Sequence, residues 1–139
     1  MNLAATIKGL FAIVGAYIGY MFGGWSTSLY ALVAFVSFDY VTGIIASASE
    51  GRLDPRIGYI GVAKKLFIFI MVSIAHYADI ILVQHIIMEA VTFYYIGTEF
   101  LSITKNFGRL GVQVPDILTK SIANFPNKNL PGGGGPSGS

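Results

Sequence analysis

The stretch SFDYVTGIIAS, residues 37–47, sets an acidic side chain inside an apolar run. Asp39 is its only charged residue, and residues 9–38 carry no charge at all. That uncharged interval is longer than the roughly 20 residues needed to cross a hydrocarbon core. A carboxylate near the middle of such a segment costs about 2.5 to 3.5 kcal/mol on insertion scales, so exposure to lipid is unfavourable. We therefore expect a membrane protein in which neighbouring helices shield Asp39 from the acyl chains.

The composition of the whole chain agrees with a membrane location. Of the 139 residues, 54% are hydrophobic and only 12% are charged, whereas soluble domains contain about 25% charged residues. The absence of cysteine excludes disulfides, a thiolate nucleophile and a cysteine-ligated metal site. The net charge of +2 includes no block of basic residues, so we expect no nucleic-acid partner.

Four apolar segments, at about 9–25, 29–48, 66–83 and 86–104, predict four transmembrane helices. Helices are expected because lipid cannot satisfy exposed backbone groups and no segment alternates like a barrel strand. The expected fold class is therefore all-α: an integral membrane bundle of about four helices, followed by a short C-terminal interfacial helix. The first segment also admits a secretory signal peptide, although no A-x-A-like cleavage site follows it.

The basic residues predict the orientation of the bundle. All nine precede the first segment, separate the second from the third, or follow the fourth: Lys8, Arg52, Arg56, Lys64, Lys65, Lys105, Arg109, Lys120 and Lys128. The two other connections contain no Lys or Arg. The positive-inside rule then places both termini and the loop 50–61 in the cytoplasm. In this interpretation the cytoplasmic anchors are Arg52, Arg56, Lys64 and Lys65.

Small residues recur along the first segment. Gly15, Gly19 and Gly23 are four residues apart, so a helix would place them on one face where another backbone can approach closely. Such a ladder favours helix packing, either within the chain or between copies of it. Gly43 in the second segment is a further candidate for close helix contact.

Polar residues form a stripe on each of the last three segments. Asp39 and Thr42 share one face of the second segment. His76 and Asp79 are three residues apart in the third segment and are therefore neighbours on a helix surface. The fourth segment repeats polar positions at a spacing of 3-4-3-4, at Thr92, Tyr95, Glu99, Ser102 and Asn106.

Depth in the membrane predicts partners for these groups. The third and fourth segments are antiparallel, so Glu99 should lie near the level of Lys64 and Lys65, which can extend toward it. A contact between Asp39 and His76 in the outer half of the bilayer is a second candidate pairing. Three roles stay open for the polar residues: interhelical hydrogen bonding, the lining of an oligomeric lesion, and a proton or ion relay.

No catalytic or cofactor-binding pattern accompanies these residues. Ser26 and Ser28 lack the G-x-S-x-G elbow of a hydrolase nucleophile. The PGGGG run lacks the Lys and the flanking strand and helix of a phosphate-binding loop. No set of three or four ligands accompanies His76. We therefore expect a protein that is not an enzyme and that uses no cofactor or metal.

The run SFDYVTGIIASASEGRLDPRIGYIGVAKKLFIFIMVSIAHYADIIL, residues 37–82, resembles the bacteriophage holins grouped with toxin-secretion holins of clostridia. That family has a D-x-x-T-G motif in one span, a basic residue in a short loop, a Gly-rich turn, a K-K pair, and an apolar span that ends in Asp. The matching residues here are Asp39, Thr42, Gly43, Arg52, Gly58, Gly61, Lys64, Lys65 and Asp79. Downstream, the family's aromatic-rich span and its LGV-x-x-P turn are matched at Glu99, Ser102, Asn106, Leu110, Gly111, Val112 and Pro115.

The resemblance implies a holin, which oligomerises in the bacterial cytoplasmic membrane and forms lesions that release an endolysin or a toxin and lead to host cell lysis. The implied partners are other copies of the chain and the lipid bilayer, with the endolysin or toxin as a functional partner that is not stably bound. Gly15, Gly19 and Gly23 would serve association. Asp39, Asp79 and Glu99 would shape polar surfaces. The alternative function is a small proton-coupled transporter or ion channel, which also combines short spans with membrane carboxylates.

These observations divide the chain into four parts. Residues 1–28 are interpreted as an N-terminal Gly-rich span, 29–113 as a holin-like three-span core, 114–126 as an amphipathic segment, and 127–139 as a flexible tail. Leu118, Ile122 and Phe125 share one side of the amphipathic segment, which favours a position along the inner leaflet. The tail LPGGGGPSGS has the composition of a linker, so we interpret it as a remnant of an expression vector, with a natural Gly-rich tail as the alternative.

Overall fold

A computed structural model describes residues 2–122 of the chain. Within that range it has five α-helices: α1 (Leu3–Met21), α2 (Thr27–Ser49), α3 (Pro55–Leu82), α4 (Ile87–Arg109) and α5 (Asp116–Ile122). The all-helical fold class is thereby confirmed for the part of the chain that is described. The tail predicted at 127–139, and Phe125 of the amphipathic segment, lie outside the described residues.

Helix α3 begins eleven residues before the apolar segment predicted at 66–83. Pro55 occupies its first position, where the missing N–H has no intrahelical partner to lose. The Asp54 side chain caps the helix by accepting a hydrogen bond from the Arg56 N–H at 2.9 Å. The prediction of a loop over residues 50–61 is therefore wrong in length, because the helix already begins at Pro55. Gly58 and Gly61 lie in this helix rather than in a turn. Hydropathy located the apolar part of this helix, whereas its cap determines where it begins.

Three of the helices, α1, α2 and α3, are long and apolar enough to cross a membrane. Helix α4 has 23 residues but does not reach the same apolar composition, because it contains Glu89, Glu99 and several hydroxyl-bearing side chains. The chain is thus a membrane protein with three helices of spanning character. The fourth span and the interfacial position of α5 stay predictions.

Helix α4 forms the centre of the bundle. It packs most extensively against α2 and next against α3, whereas α2 and α3 touch each other little. Leu29, Leu32 and Val72 are fully buried between these helices, together with the Thr92 side chain of α4. Because lipid tails are as apolar as these side chains, hydrophobic burial gives little drive for association in a membrane. Close packing and polar contacts therefore decide which helices stay together.

Helix α1 joins this bundle at its C-terminal end. Ser73 Oγ of α3 donates a hydrogen bond to the Met21 carbonyl at 3.1 Å. The Phe22 ring meets the Phe69 ring edge-on, with centroids 6.3 Å apart. Every side chain from Leu3 to Val14 is exposed. The amino-terminal half of α1 therefore stands apart from the other helices.

The glycine ladder ends with this helix. Gly23 lies in the turn after α1 with a φ of +72°, a conformation that residues with a side chain rarely adopt. A Cβ atom at this position would overlap the His76 imidazole. The prediction that Gly15, Gly19 and Gly23 share one helical face is therefore wrong for Gly23. The turn and the packing of His76 require glycine there, and four-residue spacing alone could not reveal where the helix ends.

Candidate functional site: an ion cluster between three helices

Charged side chains from three helices meet inside the bundle. Lys65 Nζ of α3 lies 2.5 Å from Asp39 Oδ2 of α2 and 2.8 Å from Glu99 Oε2 of α4. We call these three residues the ion cluster. The side chains of Asp39, Lys65 and Glu99 are 13%, 17% and 8% exposed, respectively. One ammonium group therefore connects all three helices of the bundle.

The ion cluster lies near the middle of α2 and α4. Asp39 and Glu99 each follow the first residue of their helix by 12 positions and precede the last by 10. At 1.5 Å per residue, this leaves about 18 Å of helix on one side and about 15 Å on the other. A hydrocarbon core is about 30 Å thick. In a helix that spans it, an unpaired charge at this position would be costly, so pairing through Lys65 is what allows both carboxylates to lie there.

Asn106 extends the ion cluster along α4. Its Nδ2 group donates to Asp39 Oδ1 at 2.8 Å, to the Asp39 carbonyl at 3.1 Å and to Thr42 Oγ1 at 2.9 Å. Asp39 consequently has a donor on each carboxylate oxygen, Lys65 on one and Asn106 on the other. The Asn106 Oδ1 atom accepts from Arg109 Nη1 at 3.4 Å. These contacts fix the orientation of the amide.

A surface ion pair closes this network where α2 and α4 end. Arg109 Nε and Nη2 donate to Glu50 Oε1 and Oε2 at 2.9 and 3.0 Å, and Nη2 also donates to Ser47 Oγ at 3.2 Å. Bidentate pairing is the strong geometry for Arg and a carboxylate. The hydrogen bonds from Arg109 hold the pKa of Glu50 below its usual value. A continuous chain of hydrogen bonds thus runs from the exposed Glu50 to the buried Glu99.

Asp79 does not belong to the ion cluster and instead caps α4. Its two carboxylate oxygens accept hydrogen bonds from the N–H groups of Ile87 and Met88, at 2.9 and 2.8 Å, in the first turn of α4. The residue at the N-cap position of α4, Ile86, provides no side-chain hydrogen bond. Asp79 of the preceding helix therefore satisfies these donors, and its negative charge complements the dipole of α4. Asp79 is a structural cap that closes the hairpin between α3 and α4.

His76 lies beside the turn that follows α1. Its ring is next to Gly23 and packs on Tyr77 at a centroid distance of 5.5 Å. The candidate pairing of His76 with Asp39 is not formed, because Asp39 binds Lys65 and Asn106 instead. Of the two pairings drawn from depth, the contact between Lys65 and Glu99 is the one present. Depth alone could not choose between them, since the rotation of α3 about its axis decides which side chain faces α2.

The remaining glycines have different surroundings. Gly15 has open space where a Cβ atom would lie, whereas Gly19 is covered by the Trp25 indole. Trp25 Nε1 also donates to the Gly15 carbonyl at 3.4 Å. Gly43 faces Asn106, where a Cβ atom would stand 3.5 Å from Nδ2. Of these three positions, Gly15 is the one with open space around it.

The other residues singled out from the sequence lie near the surface or bond within their own helix. Ser102 Oγ donates to the Thr98 carbonyl at 3.1 Å. Arg52, Arg56 and Lys64 are exposed, in contrast to Lys65 in the ion cluster. Across residues 2–122, no group of three or more His, Asp or Glu side chains is placed to hold a metal ion.

Two cavities lie at opposite ends of the bundle. The first, of about 850 Å³, separates α2 from the first turns of α3, and Asp39 and Lys65 belong to its wall. We call it the α2–α3 cleft. The second, of about 540 Å³, lies between the α1–α2 turn and the α3–α4 turn, with His76, His85 and Glu89 in its lining. Leu29, Leu32 and Val72, which are fully buried, belong to the lining of neither cavity.

Comparison with known proteins supports the family that the motifs suggest. The model of the bacteriophage holin family matches residues 16–127, which include every residue of the ion cluster. The chain belongs to the bacteriophage holin family. Its motif resemblance, from Asp39 to Pro115, is thereby confirmed at the level of the family.

Individual relatives extend over most of this holin-family chain. An uncharacterised protein of Listeria monocytogenes is 41% identical over 116 residues, which cover 83% of each chain. An uncharacterised 14.9 kDa protein of Clostridium perfringens is 30% identical over 129 residues, or 91% of this chain and 98% of the relative. A probable holin of Bacillus phage phi105 is 31% identical over 92 residues, or 66% and 68% of the two chains. No solved structure matches.

Proposed function

We propose that this protein is a holin that accumulates in the cytoplasmic membrane of a bacterial host, oligomerises there, and forms lesions that release an endolysin or a toxin. Membership of the holin family and similarity to a probable phage holin support this role. The released protein acts as a functional partner that need not bind stably. Host cell lysis follows once the released enzyme reaches the cell wall.

The observation that carries the mechanism is the ion cluster. A small apolar bundle gains little from hydrophobic burial in lipid, yet this one encloses two carboxylates, an ammonium group and an amide. While the helices stay together, these groups satisfy one another. When neighbouring copies pull the helices apart, the same groups become surfaces that water can wet. The protomer thus has a closed state suited to lipid and an opened state suited to the rim of a lesion.

The burial of polar groups also supports α4 as the fourth transmembrane helix. Thr92, Glu99 and Asn106 recur every seven residues on one side of α4, and all three are buried. Phe93 and Tyr94, by contrast, are exposed. The mean hydropathy of α4 counts these three polar side chains, although the bundle hides them. Four spans would place both termini and the anchors Arg52, Arg56 and Lys64 on the cytoplasmic side.

The four-part division of the chain belongs to the same proposal. Residues 1–28 provide an association span, 29–113 the core that contains the ion cluster, and 114–126 a segment along the inner leaflet, followed by a tail at 127–139. Gly15, Gly19 and Gly43 allow close helix contacts, and Gly23 shapes the turn after α1. Lys65 belongs to the ion cluster in addition to marking the cytoplasmic half of α3.

The proposed function is tested by co-expression with a cytoplasmic muralytic enzyme that lacks its own export signal. Lysis of the culture after a delay, with abrupt loss of membrane potential, is the expected result. The control expresses the same enzyme with a chain truncated before α2. Continued growth despite full accumulation of the intact chain in the membrane would refute the holin assignment.

A proton-coupled transporter or ion channel is the second candidate function. The observation that favours it is the pair of cavities at opposite ends of the bundle. The buried side chains between them, including Leu32, Val36 and Val72, would close such a path in this conformation. Loss of membrane potential without release of the muralytic enzyme would favour this alternative, because it indicates a hole that passes ions but not proteins.

A further inference from the structure

The α2–α3 cleft is a space between two membrane helices that the rest of the described chain does not fill. Helices α2 and α3 touch each other little, and Asn106 and Arg109 of α4 complete the lining between them. The volume of about 850 Å³ lies within the range of about 300–1,000 Å³ that is typical of ligand sites. We propose that the cleft binds one anionic phospholipid, with its phosphate at Arg52 and an acyl chain along α3. This site belongs to the single protomer and therefore goes beyond the proposed function.

The cleft has the depth of one leaflet. Its wall on α3 extends from Pro55 to Lys65, which corresponds to about 15 Å along the helix. Its wall on α2 extends from Asp39, near the middle of that helix, to Ser47, near its end. We call the end at Ser47 and Pro55 the mouth of the cleft. Half of a hydrocarbon core is also about 15 Å thick, so an acyl chain of one leaflet fits between the mouth and the ion cluster.

The walls of the cleft suit an acyl chain. Ile44 on α2 and Ile57 on α3 belong to the lining and are exposed. Gly58 and Gly61 also belong to the lining, and the side chain nearest to both is that of Tyr40. Because neither glycine has a side chain, the surface of α3 is recessed there. A gap between membrane helices is filled by lipid or by protein, since an empty space loses the dispersion contacts of its walls.

Arg52 provides a charge for the phosphate at the mouth of the cleft. Its guanidinium group belongs to the lining and forms no hydrogen bond or ion pair within residues 2–122. Its charge helps to lower the pKa of Glu50, but Arg109 already binds both oxygens of that carboxylate. The Tyr40 hydroxyl in the same lining has no hydrogen-bond partner in this part of the chain either. A guanidinium group matches a phosphate in bidentate geometry, so a lipid headgroup can use both donors.

The charges around the mouth favour an anionic lipid over a zwitterionic one. The guanidinium groups of Arg52, Arg56 and Arg109 lie where α2 and α4 end and α3 begins, together with the carboxylates of Glu50 and Asp54. Both carboxylates have partners within the chain, since Glu50 binds Arg109 and Asp54 caps α3. A zwitterionic headgroup would bring an ammonium group close to Arg52. Basic pockets between membrane helices on the cytoplasmic side are a known type of site for anionic headgroups.

Native mass spectrometry of the full chain in detergent micelles tests the site, with dioleoylphosphatidylglycerol and dioleoylphosphatidylcholine added at equal concentrations. We expect one phosphatidylglycerol to remain bound per protomer under conditions that remove phosphatidylcholine. Arg52→Gln should lower the affinity for phosphatidylglycerol about fivefold, which is the effect of about one basic side chain on an anionic lipid. Arg56→Gln is the matched control, because Arg56 is exposed and lies outside the lining of the cleft. It should lower the affinity less than about twofold.

Gly58→Leu tests the groove for the acyl chain in the same measurement. The new side chain would project into the cleft, so the affinity for phosphatidylglycerol should fall about tenfold. Gly58→Ala should retain the lipid, because a Cβ atom there would lie 3.6 Å from the Tyr40 hydroxyl, an ordinary contact distance. Gly9→Leu, at a glycine of α1 with open space around it, controls for the general effect of a larger side chain. Helix content and accumulation in the membrane report whether each variant folds.

Each result supports or overturns the lipid site. Loss of phosphatidylglycerol in Arg52→Gln and Gly58→Leu, with retention in their controls, supports it. Equal retention of the two lipids by the parent chain would overturn it. Equal losses in Arg52→Gln and Arg56→Gln would also overturn it, because they indicate attraction to the basic surface alone. The absence of bound lipid would overturn it as well, and a dimer that Gly58→Leu dissociates would then show that a second copy occupies the cleft.

Discussion

Helices α2 and α3 of the bundle and the isolated helix α1 are all apolar enough to cross a membrane, yet the bundle and α1 are held in different ways. Lys65 joins the three bundle helices through two carboxylates, and Asn106 adds further bonds between α2 and α4. Helix α1 is attached at its C-terminal end, through Ser73 and Phe69. In lipid, polar contacts and close packing decide which helices remain together. The difference indicates that the contacts of the bundle hold α2, α3 and α4 together, whereas α1 is the spanning helix with the fewest contacts to the others.

The largest expected effect comes from removing the shared cation. Lys65→Met leaves two carboxylates facing each other in the interior, so we expect the free energy of unfolding to fall by about 3–5 kcal/mol. Unfolding in mixed micelles by increasing denaturing detergent measures this. Lys64→Met is the matched control, because Lys64 is exposed and belongs to no ion pair among the described residues.

A triple variant sharpens this test. Combining Lys65→Met with Asp39→Asn and Glu99→Gln removes every charge of the ion cluster, and neutral side chains of similar size should recover most of the lost stability. If Lys65→Met behaved like Lys64→Met, the bundle would not depend on the ion cluster, and its contrast with α1 would disappear.

The next effect concerns the cap that closes the hairpin. Asp79→Ala leaves the first N–H groups of α4 without partners, so we expect a loss of about 1–2 kcal/mol in the same unfolding measurement. Asp79→Asn keeps an acceptor oxygen and should lose less. An Asp79→Ala chain as stable as the parent would contradict a capping role and return Asp79 to the residues that could line a lesion.

Substitutions in α1 should change assembly more than stability. A Cβ atom at Gly19 would lie 2.8 Å from Trp25 Nε1, whereas Gly15 has open space around it. Gly19→Leu should therefore shift the onset of lysis, measured as culture turbidity after induction, while the bundle loses less than about 1 kcal/mol. Gly15→Ala is the matched control for the packing against Trp25. If Gly19→Leu left the lysis timing unchanged and strongly destabilised the bundle, the result would contradict the expectation that α1 affects assembly more than stability.

The smallest effect is expected at the surface pair of Glu50 and Arg109. The hydrogen bonds from Arg109 lower the pKa of Glu50, so the pair stabilises the folded chain above the pKa of the unfolded state. This contribution is lost as the pH falls through the lowered folded value. Glu50→Gln should therefore flatten the acid side of the stability profile, an effect that salt screens because both groups are near the surface. A steeper acid loss in Glu50→Gln would contradict this sign.

The sequence predicted the elements of this fold better than their contacts. Uncharged runs located α1, α2 and α3, because a membrane requires long apolar helices whatever their neighbours are. The same signal placed the start of α3 eleven residues late, since Asp54 and Pro55 define a helix end without being apolar. The predicted glycine ladder is wrong at Gly23 for a related reason. A four-residue spacing places residues on one face only within a helix, and α1 ends before the third glycine.

Side-chain partners depend on helix rotation, which hydropathy does not report. Depth in the membrane suggested Lys65 as a partner of Glu99, and it equally suggested His76 as a partner of Asp39. The bidentate bond between Arg109 and Glu50 was missed, although both residues occur where an apolar helix ends and a basic or acidic side chain commonly reaches a neighbour. The cap formed by Asp79 could have been predicted from the sequence as well. Asp79 is an acidic residue shortly before a short turn, and the helix after that turn has no capping residue of its own.

The shared ammonium group is the claim on which this account depends, and a distance measurement in lipid tests it most directly. Solid-state NMR of the full chain in bilayers, with ¹⁵N in the lysine side chains and ¹³C in the carboxyl groups, reports the separation of Lys65 Nζ from both acids. With N–O distances of 2.5 and 2.8 Å, strong dipolar coupling to Asp39 and to Glu99 is expected, and Lys65→Met should abolish both signals. Coupling to neither acid, or to only one, would contradict a cluster that holds three helices together.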